Sequence, residues 1–173
     1  NDPERSALMR TRSNPHISDT IRVALAFFML ISLSLPAVSQ VQRSESEDAV
    51  LAVIMDLEKT WNSGDMGGYL AHYRQDDSLS LTFGNTIVEG WTSLDKLFRK
   101  SYPDPERMGR FSIDKIQVQL LSDDTAVAFG NFTHVFPTEI IKGGFTHVLT
   151  QGSSQRWLIQ HERTSRGEVL DTH

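Results

Sequence analysis

The chain has 173 residues, enough for one domain with a substantial core, and 17 Lys and Arg against 22 Asp and Glu give a net charge of −5. Its longest basic run is Arg99-Lys100, so nucleic acid is not an expected partner, because phosphate binding needs clustered positive charge. The lack of cysteine excludes disulfides, thiolate metal sites and cysteine nucleophiles.

The N-terminal part of the chain reads as a leader. Residues 1–21 are polar and aperiodic, so we expect a disordered or extraneous segment, with Met9 as a candidate first residue. Residues 22–39 join a basic flank, an apolar run of about a dozen residues and small residues at Ala37 and Ser39, as in a signal peptide cleaved after Ser39. We therefore expect a secreted or periplasmic protein without stable membrane association after cleavage. An uncleaved membrane anchor is the alternative.

The first predicted helix begins at the capping box Ser44-Glu45-Ser46-Glu47. An apolar stripe with helical spacing follows, formed by Val50, Ile54, Leu57 and Trp61. Gly64 is predicted to end this helix at positive φ, and Asp65 to cap a second short helix over residues 66–73. Trp61, Tyr69 and Tyr73 would then bring three aromatic rings toward one wall of the interior.

A short strand and a third helix follow. Residues 78–83 alternate with period two, which predicts a strand with Leu79, Leu81 and Phe83 on its buried face. Residues 86–89 form a second short strand after the turn at Gly84. Thr92 or Ser93 is expected to cap the third helix, which Pro103 stops.

From Arg110 onward the pattern indicates long strands over residues 110–120, 125–136, 139–151 and 155–165. Phe111 and Ile113 have odd numbers whereas Ile116, Val118 and Leu120 have even ones, which predicts a β-bulge near Asp114-Lys115. Residues 167–173 are polar and are expected to be a flexible tail.

These elements predict an α+β domain, in which a cone-shaped curved antiparallel sheet packs against three N-terminal helices. The motif Trp61-Asn62-Ser63-Gly64-Asp65, followed by Tyr69, Tyr73 and Gly90, fits that arrangement, as do Gly144-Phe145-Thr146 and the stretch from Trp157 to Ser165. Together they resemble the SnoaL-like, ketosteroid-isomerase-related branch of the nuclear transport factor 2-like superfamily, over residues 44–166. The resemblance implies a cystatin-like fold with a pocket for a small molecule.

The superfamily includes ketosteroid isomerases, scytalone dehydratase, limonene epoxide hydrolase, polyketide cyclases and kinase association domains, so the resemblance does not define an activity. Two departures are informative. The isomerases carry an aspartate base on the first strand, where this chain has Leu81-Thr82-Phe83. Members of the closest branch often carry a second histidine on the last strand where this chain has Arg163, which cannot act as an acid or base near neutral pH.

The last hairpin suggests which side chains face the pocket. If it turns at Gly152-Ser153-Ser154, the face with Phe145 and His147 also carries Trp157, Ile159 and His161, with Arg163 beyond. We expect His161 as general base and Arg163, or a tyrosine hydroxyl, as the group that polarises an oxygen. His134, near a strand end, is expected to be exposed. The expected ligand-binding residues are Trp61, Tyr69, Tyr73, Phe83, Phe132, His147 and Trp157.

We expect no metal and no other cofactor, because no His-x-His or His-x-x-x-His spacing is present. The leading hypothesis is an exported domain that binds a small, largely apolar organic molecule. The alternatives are a cofactor-free isomerase, lyase or hydrolase that uses His161, and a non-catalytic module for dimerisation or partner binding.

The other face of the sheet predicts a homodimer. Val127, Phe129, Val148 and Leu158 should point away from the helices, among uncharged Thr, Asn and Gln side chains. No further helix is available to cover this patch, whose composition is typical of an interface.

Overall fold

The computed structural model describes the backbone of residues 35–171 and the side chains of residues 45–170. The predicted N-terminal segment, residues 1–21, lies outside the described residues, as does most of the predicted signal segment, residues 22–39. The chain divides into two compact units, Asn1–Val41 and Gln42–His173. The fold and the site described below belong to the second unit. No helix in the described part of the chain is long and apolar enough to span a membrane.

The helices and short strands come first, and the long strands follow. The elements are α1 (Leu35–Asn62), α2 (Met66–Leu70), β1 (Ser80–Phe83), β2 (Thr86–Glu89), α3 (Trp91–Ser101), a 3₁₀ turn (Pro105–Met108), β3 (Arg110–Leu120), β4 (Thr125–Val135), β5 (Glu139–Gln151) and β6 (Trp157–Asp171). The described strands form one six-stranded curved sheet in the order β2-β1-β6-β5-β4-β3. β1 runs parallel to β6, and the other neighbouring strands are antiparallel. The α+β fold class is confirmed.

The corner between α1 and α2 is confirmed. Gly64 has φ of 74°, and the Asp65 carboxylate accepts a hydrogen bond of 2.8 Å from the backbone N–H of Gly68. Glycine is favoured at such a φ because it has no Cβ to clash with the backbone. The apolar stripe of α1 from Val50 to Trp61 is buried as predicted.

Two predicted helix starts are wrong. α1 is already helical at Leu35, the first described residue, so it does not start at the capping box at Ser44. Gln and Arg, which are good helix formers, occur in residues 40–43. α3 begins one residue after Gly90, which occupies the N-cap position with φ of 77°, instead of Thr92 or Ser93. Its end before Pro103 agrees with the prediction.

The predicted β-bulge in β3 is confirmed, because the pairing with β4 shifts between Ile113 and Lys115. Gly130 lies opposite Ile116, and a side chain at Gly130 would overlap the backbone carbonyl of Lys115. The bulge lets Phe111 and Ile113, and then Ile116 and its even-numbered successors, all pack against the core.

A second bulge, which the sequence did not predict, lies at Gln160 in β6. Leu149 pairs with Ile159, but the preceding residue of β5, Val148, pairs with His161, so Gln160 is the extra residue. At this position the segment that pairs with the edge of β6 changes. Ile159 is hydrogen-bonded to residues 72–74, whereas residues 161–164 pair with β1.

The end of the chain also differs from the prediction. β6 continues to Asp171 instead of ending near Ser165, and Val169 pairs with Ile141 of β5. Most of the predicted flexible tail, residues 167–173, is therefore strand. The side chains of this stretch are exposed while its backbone is hydrogen-bonded in the sheet. Its polar composition therefore indicates an exposed strand end and not a flexible tail.

Candidate functional site

A cavity of about 570 Å³ lies between the helices and the sheet. This volume is within the range of sites that hold small organic molecules, roughly 300–1,000 Å³. The apolar side chains of its wall include Leu57, Phe83, Phe98, Phe111, Phe132 and Phe145. The titratable side chains of the same wall are Tyr69, Tyr102, His134, His147, Glu162 and Arg166. The arrangement suits a largely apolar ligand with a few polar atoms.

A chain of polar side chains runs along one side of the cavity. The hydroxyl of Tyr73 donates a hydrogen bond of 2.6 Å to Oε2 of Glu162, and the hydroxyls of Tyr69 and Tyr73 lie 2.8 Å apart. Because Tyr73 uses its proton for Glu162, Tyr69 is the donor to the Tyr73 oxygen. Nε2 of His147 lies 3.5 Å from the same Glu162 oxygen.

Local structure explains how these four side chains meet. Tyr69 is in α2, which ends at Leu70 and not at the predicted residue 73, and Tyr73 is in the turn that follows. Turn hydrogen bonds from His72 to Tyr69 and from Tyr73 to Leu70 bring the two rings side by side, with centroids 5.6 Å apart. His147 and Glu162 are directly paired across the antiparallel strands β5 and β6, so their side chains share one face of the sheet. The backbone bonds of Ile159 to His72 and Arg74 hold residues 69–74, called here the tyrosine segment, against β6.

Burial keeps Tyr69 and Tyr73 in the neutral form. Desolvation raises the pKa of Tyr69 and of Tyr73 well above 10.0, and the nearby Glu162 carboxylate raises both pKa values further. The two hydroxyls therefore remain proton donors throughout the neutral pH range. Tyr73 can thereby hold the Glu162 carboxylate in a fixed orientation, and Tyr69 in turn holds the Tyr73 hydroxyl.

His147 is the least satisfied member of the group. Both His147 and Glu162 are only 4% exposed, and Nδ1 of His147 is buried without a hydrogen-bond partner in the described part of the chain. His72 Nε2 and Trp157 Nε1 share this property, but neither residue lines the cavity. An unsatisfied buried polar group costs about 1–3 kcal/mol, so His147 is not placed here for its contribution to stability.

A second polar group lies elsewhere in the cavity wall. Trp61 Nε1 and His134 Nε2 both donate to the backbone oxygen of Met108, at 3.0 and 2.6 Å. Burial lowers the pKa of His134 and raises that of Tyr102. The exposed Arg166 completes this group.

Five of the seven expected ligand-binding residues line the cavity, namely Trp61, Tyr69, Phe83, Phe132 and His147. Tyr73 and Trp157 are buried but do not line it. Tyr73 lies behind Tyr69 and bonds to Glu162. Trp157 belongs to the core cluster.

The expectation that His161 and Arg163 face the cavity is wrong. The bulge at Gln160 reverses the alternation, so that Glu162, Thr164 and Arg166 line the cavity instead. Nδ1 of His161 lies 2.8 Å from the Ser80 hydroxyl, and Arg163 is exposed. The expected exposure of His134 is also wrong, because its ring lies against Phe136, with a centroid distance of 4.0 Å, and lines the cavity.

Sequence reasoning missed Glu162, Arg166 and Tyr102 as cavity residues. Alternation alone could not identify the first two, because residues 160–168 contain no apolar side chain that marks the inner face after the bulge. Tyr102 carried a signal, since Leu94, Phe98 and Tyr102 follow one another at four-residue spacing, which predicts that they share the apolar face of a helix. Among the described residues, no group of three or more His, Asp or Glu side chains is placed to hold a metal ion.

Comparison with known proteins gives structural relatives. No protein-family model and no curated protein matches the sequence. An NTF-2-like protein of unknown function from Shewanella oneidensis MR-1 is 26% identical, with a TM-score of 0.65 over 68% of this chain and 97% of the relative. A ketosteroid isomerase-like protein from Erwinia carotovora atroseptica is 16% identical, with a TM-score of 0.57 over 72% and 98%.

A domain of unknown function from Nostoc punctiforme PCC 73102, which has a cystatin-like fold, is 15% identical with a TM-score of 0.57, over 71% of this chain and 78% of that domain. These structures share the fold of three helices against a curved sheet with a wide range of sequences. The fold that the residue pattern predicted is thus also the fold of the structural neighbours. The chain belongs to the nuclear transport factor 2-like superfamily.

Proposed function

We propose that this domain belongs to the SnoaL-like branch, binds a small, largely apolar organic molecule in the cavity and performs acid–base chemistry on it with His147 and Glu162. The reaction class is a cofactor-free isomerisation, elimination or hydrolysis, which moves protons and needs no redox group. The shared fold of the ketosteroid isomerase-like protein from Erwinia supports a small-molecule ligand.

The observation that carries this proposal is the buried His147–Glu162 pair in the wall of an otherwise mostly apolar cavity. Perturbed or unsatisfied titratable groups in such a cavity are typical of functional sites. A core histidine with a purely structural role would normally have both nitrogens hydrogen-bonded. His147 instead leaves Nδ1 without a partner in the described residues.

The geometry assigns a role to each side chain. Nδ1 of His147 is enclosed by protein, whereas Nε2 lies beside the Glu162 oxygen, so Nε2 is the nitrogen that we assign as the base. Nε2 takes a proton from the ligand, and the adjacent carboxylate of Glu162 stabilises the imidazolium that forms. Tyr73 holds this carboxylate through its hydroxyl proton. The imidazolium then returns the proton to another ligand atom or to the leaving group.

Kemp elimination of 5-nitrobenzisoxazole tests the base directly. In this reaction a base removes the C3 proton while the N–O bond breaks, giving a coloured cyanophenolate without any other reactant. We expect wild-type protein to accelerate it above the buffer rate, and His147→Ala and Glu162→Gln each to reduce the rate at least about tenfold.

His161→Ala is the matched control, because this histidine is on β6 but does not line the cavity. It should retain the wild-type rate. A wild-type protein that does not exceed the buffer rate, or a His161→Ala variant that loses as much activity as His147→Ala, would contradict the assigned base.

A non-catalytic role in assembly is a second candidate, and the outer face of the sheet favours it. We propose that a second copy of the chain covers this face. Val127 lies opposite Val148 and Thr150 opposite Leu158, and Phe129 is 37% exposed beside them. A two-fold axis would let one patch serve both subunits.

Export is also a proposal, and it rests on the sequence of residues 22–39. Intact-mass measurement of protein recovered from the periplasm or medium should place the first residue at or near Gln40. Recovery of uncleaved protein from the membrane fraction would favour the anchor.

A further inference from the structure

The cavity wall contains two charged side chains of opposite sign, and both come from β6. Glu162, Thr164, Ser165 and Arg166 all line the cavity. Glu162 and Arg166 are four positions apart on the strand, which is roughly 13 Å along the backbone. The cavity therefore has a negative, buried end and a positive, exposed end.

Arg166 is available for a ligand. Its side chain has no ion-pair or hydrogen-bond partner in the described part of the chain, and among the Lys and Arg side chains of residues 45–170 it alone lines the cavity. The hydroxyl of Tyr102 likewise has no hydrogen-bond partner within residues 45–170. Burial raises the pKa of Tyr102 and lowers that of His134, and the positive charge of Arg166 has a smaller, lowering effect on each pKa. Arg166 is thus within electrostatic range of Tyr102 and His134.

These groups match one ligand chemistry. A guanidinium is a planar fork of donors that fits a carboxylate or a similar oxyanion, and a neutral tyrosine hydroxyl can donate to the same group. An anion placed at the other end of the cavity would instead meet the carboxylate of Glu162 in a poorly screened, buried environment. The two ends together define one orientation for an anionic ligand.

We propose that the ligand of this cavity is an organic anion with an apolar body, whose carboxylate or other oxyanion pairs with Arg166 while its uncharged part reaches His147 and Glu162. This inference rests on the proposed function, because it assumes that the cavity holds a small molecule. The aromatic side chains of Phe83, Phe98 and Phe132 supply the wall for the apolar body.

Two fluorescent probes that differ in one charged group test the proposal. 1-Anilinonaphthalene-8-sulfonate is an anion with two apolar ring systems, and N-phenyl-1-naphthylamine is the same molecule without the sulfonate. We expect Arg166→Gln to weaken binding of the sulfonate probe about tenfold, because the charged hydrogen bonds between the guanidinium and the sulfonate are lost. Binding of the neutral amine should change less than about twofold.

Arg166→Lys should retain most of the affinity for the sulfonate, because it keeps the positive charge. Arg163→Gln is the matched control, three residues away on β6 but outside the cavity, and should leave both probes unaffected. A loss of sulfonate binding in Arg163→Gln equal to that in Arg166→Gln would overturn the proposal, because it would indicate a non-specific effect of surface charge.

The remaining outcomes separate this inference from the proposed function. If Arg166→Gln leaves sulfonate binding unchanged, or weakens both probes equally, the anion proposal is wrong, while binding of the neutral amine still supports a ligand cavity. If the wild-type protein binds neither probe, the cavity does not accept small apolar molecules, and both the inference and the proposed function fail.

Discussion

The hydroxyl of Tyr73 and the carboxylate of Glu162 are joined by a buried hydrogen bond of 2.6 Å, across 89 residues of sequence. This bond exists because the bulge at Gln160 turns Glu162 toward the helices. It connects the tyrosine segment to the last strand and fixes the carboxylate that faces His147. Much of the candidate site depends on this one contact.

Tyr73→Phe should lower the free energy of unfolding by about 1–3 kcal/mol, because it removes a donor from a buried carboxylate and leaves that acceptor unsatisfied. Urea denaturation followed by circular dichroism measures the change. Tyr102→Phe is the control, since the Tyr102 hydroxyl has no hydrogen-bond partner in the described residues, and it should change stability by less than about 0.5 kcal/mol. Equal effects of the two variants would contradict the role of the Tyr73 bond.

Trp157→Ala should lower the free energy of unfolding by about 3–5 kcal/mol, because the side chain is 5% exposed within the core cluster. His161→Ala should lower it by no more than about 1.5 kcal/mol, since His161 is partly exposed and contributes a single side-chain hydrogen bond, to Ser80. Thermal unfolding of both variants provides the measurement. A larger loss for His161→Ala would indicate a structural role that its contacts do not explain.

Acidification should destabilise the domain through His134. Burial lowers the folded-state pKa of His134 below 6.5, as it also does for His72, so the unfolded chain binds more protons in this range. The stability that depends on these two histidines being neutral is fully present above pH 6.5. It is lost as the pH falls below 6.5 toward their lowered folded-state pKa values. The carboxyl groups of Asp76 and Asp124, with pKa values below 3.8, do not act in this window.

His134→Gln should therefore flatten the decrease in unfolding free energy between about pH 7 and about pH 5, because glutamine does not titrate but retains an N–H donor for Met108. Urea denaturation across this range measures the slope for both proteins. Parallel curves for the variant and the wild type would show that His134 titrates alike in the folded and unfolded states.

The three tyrosines of the chain should resist ionisation. Burial raises the pKa of Tyr69, Tyr73 and Tyr102 above 10.0 in the folded protein. Their contribution to stability is complete below pH 10.0 and is lost as the pH rises above it. An ultraviolet titration should therefore show tyrosinate only together with unfolding, and ionisation near pH 10.0 with intact circular dichroism would disprove this expectation.

Light scattering should give a dimer mass for the domain, and Phe129→Asp should shift it to the monomer, because an unpaired charge would be buried in the proposed outer-face interface. Ile87→Asp is the control. Ile87 is 66% exposed, but it is on β2 at the opposite edge of the sheet. A wild-type protein that remains monomeric at high micromolar concentration, or an equal effect of the Ile87 variant, would refute the interface.

The sequence determined most of the fold through patterns that mark two faces. The stripe on α1 and the Gly64-Asp65 corner were readable because apolar spacing and turn chemistry act locally. The bulge in β3 was readable for the same reason, since apolar residues stand on both sides of it, from Phe111 to Ile116.

The tertiary structure alone decided the site. After Ile159 the inner face of β6 carries polar side chains, so a reversal of the alternation leaves no trace in the hydrophobic pattern. The reversal at Gln160 arises where the edge of β6 changes its partner from residues 72–74 to β1. Because this partner change is a contact between distant parts of the chain, only the folded structure shows that Glu162 and Arg166, and not His161 and Arg163, line the cavity.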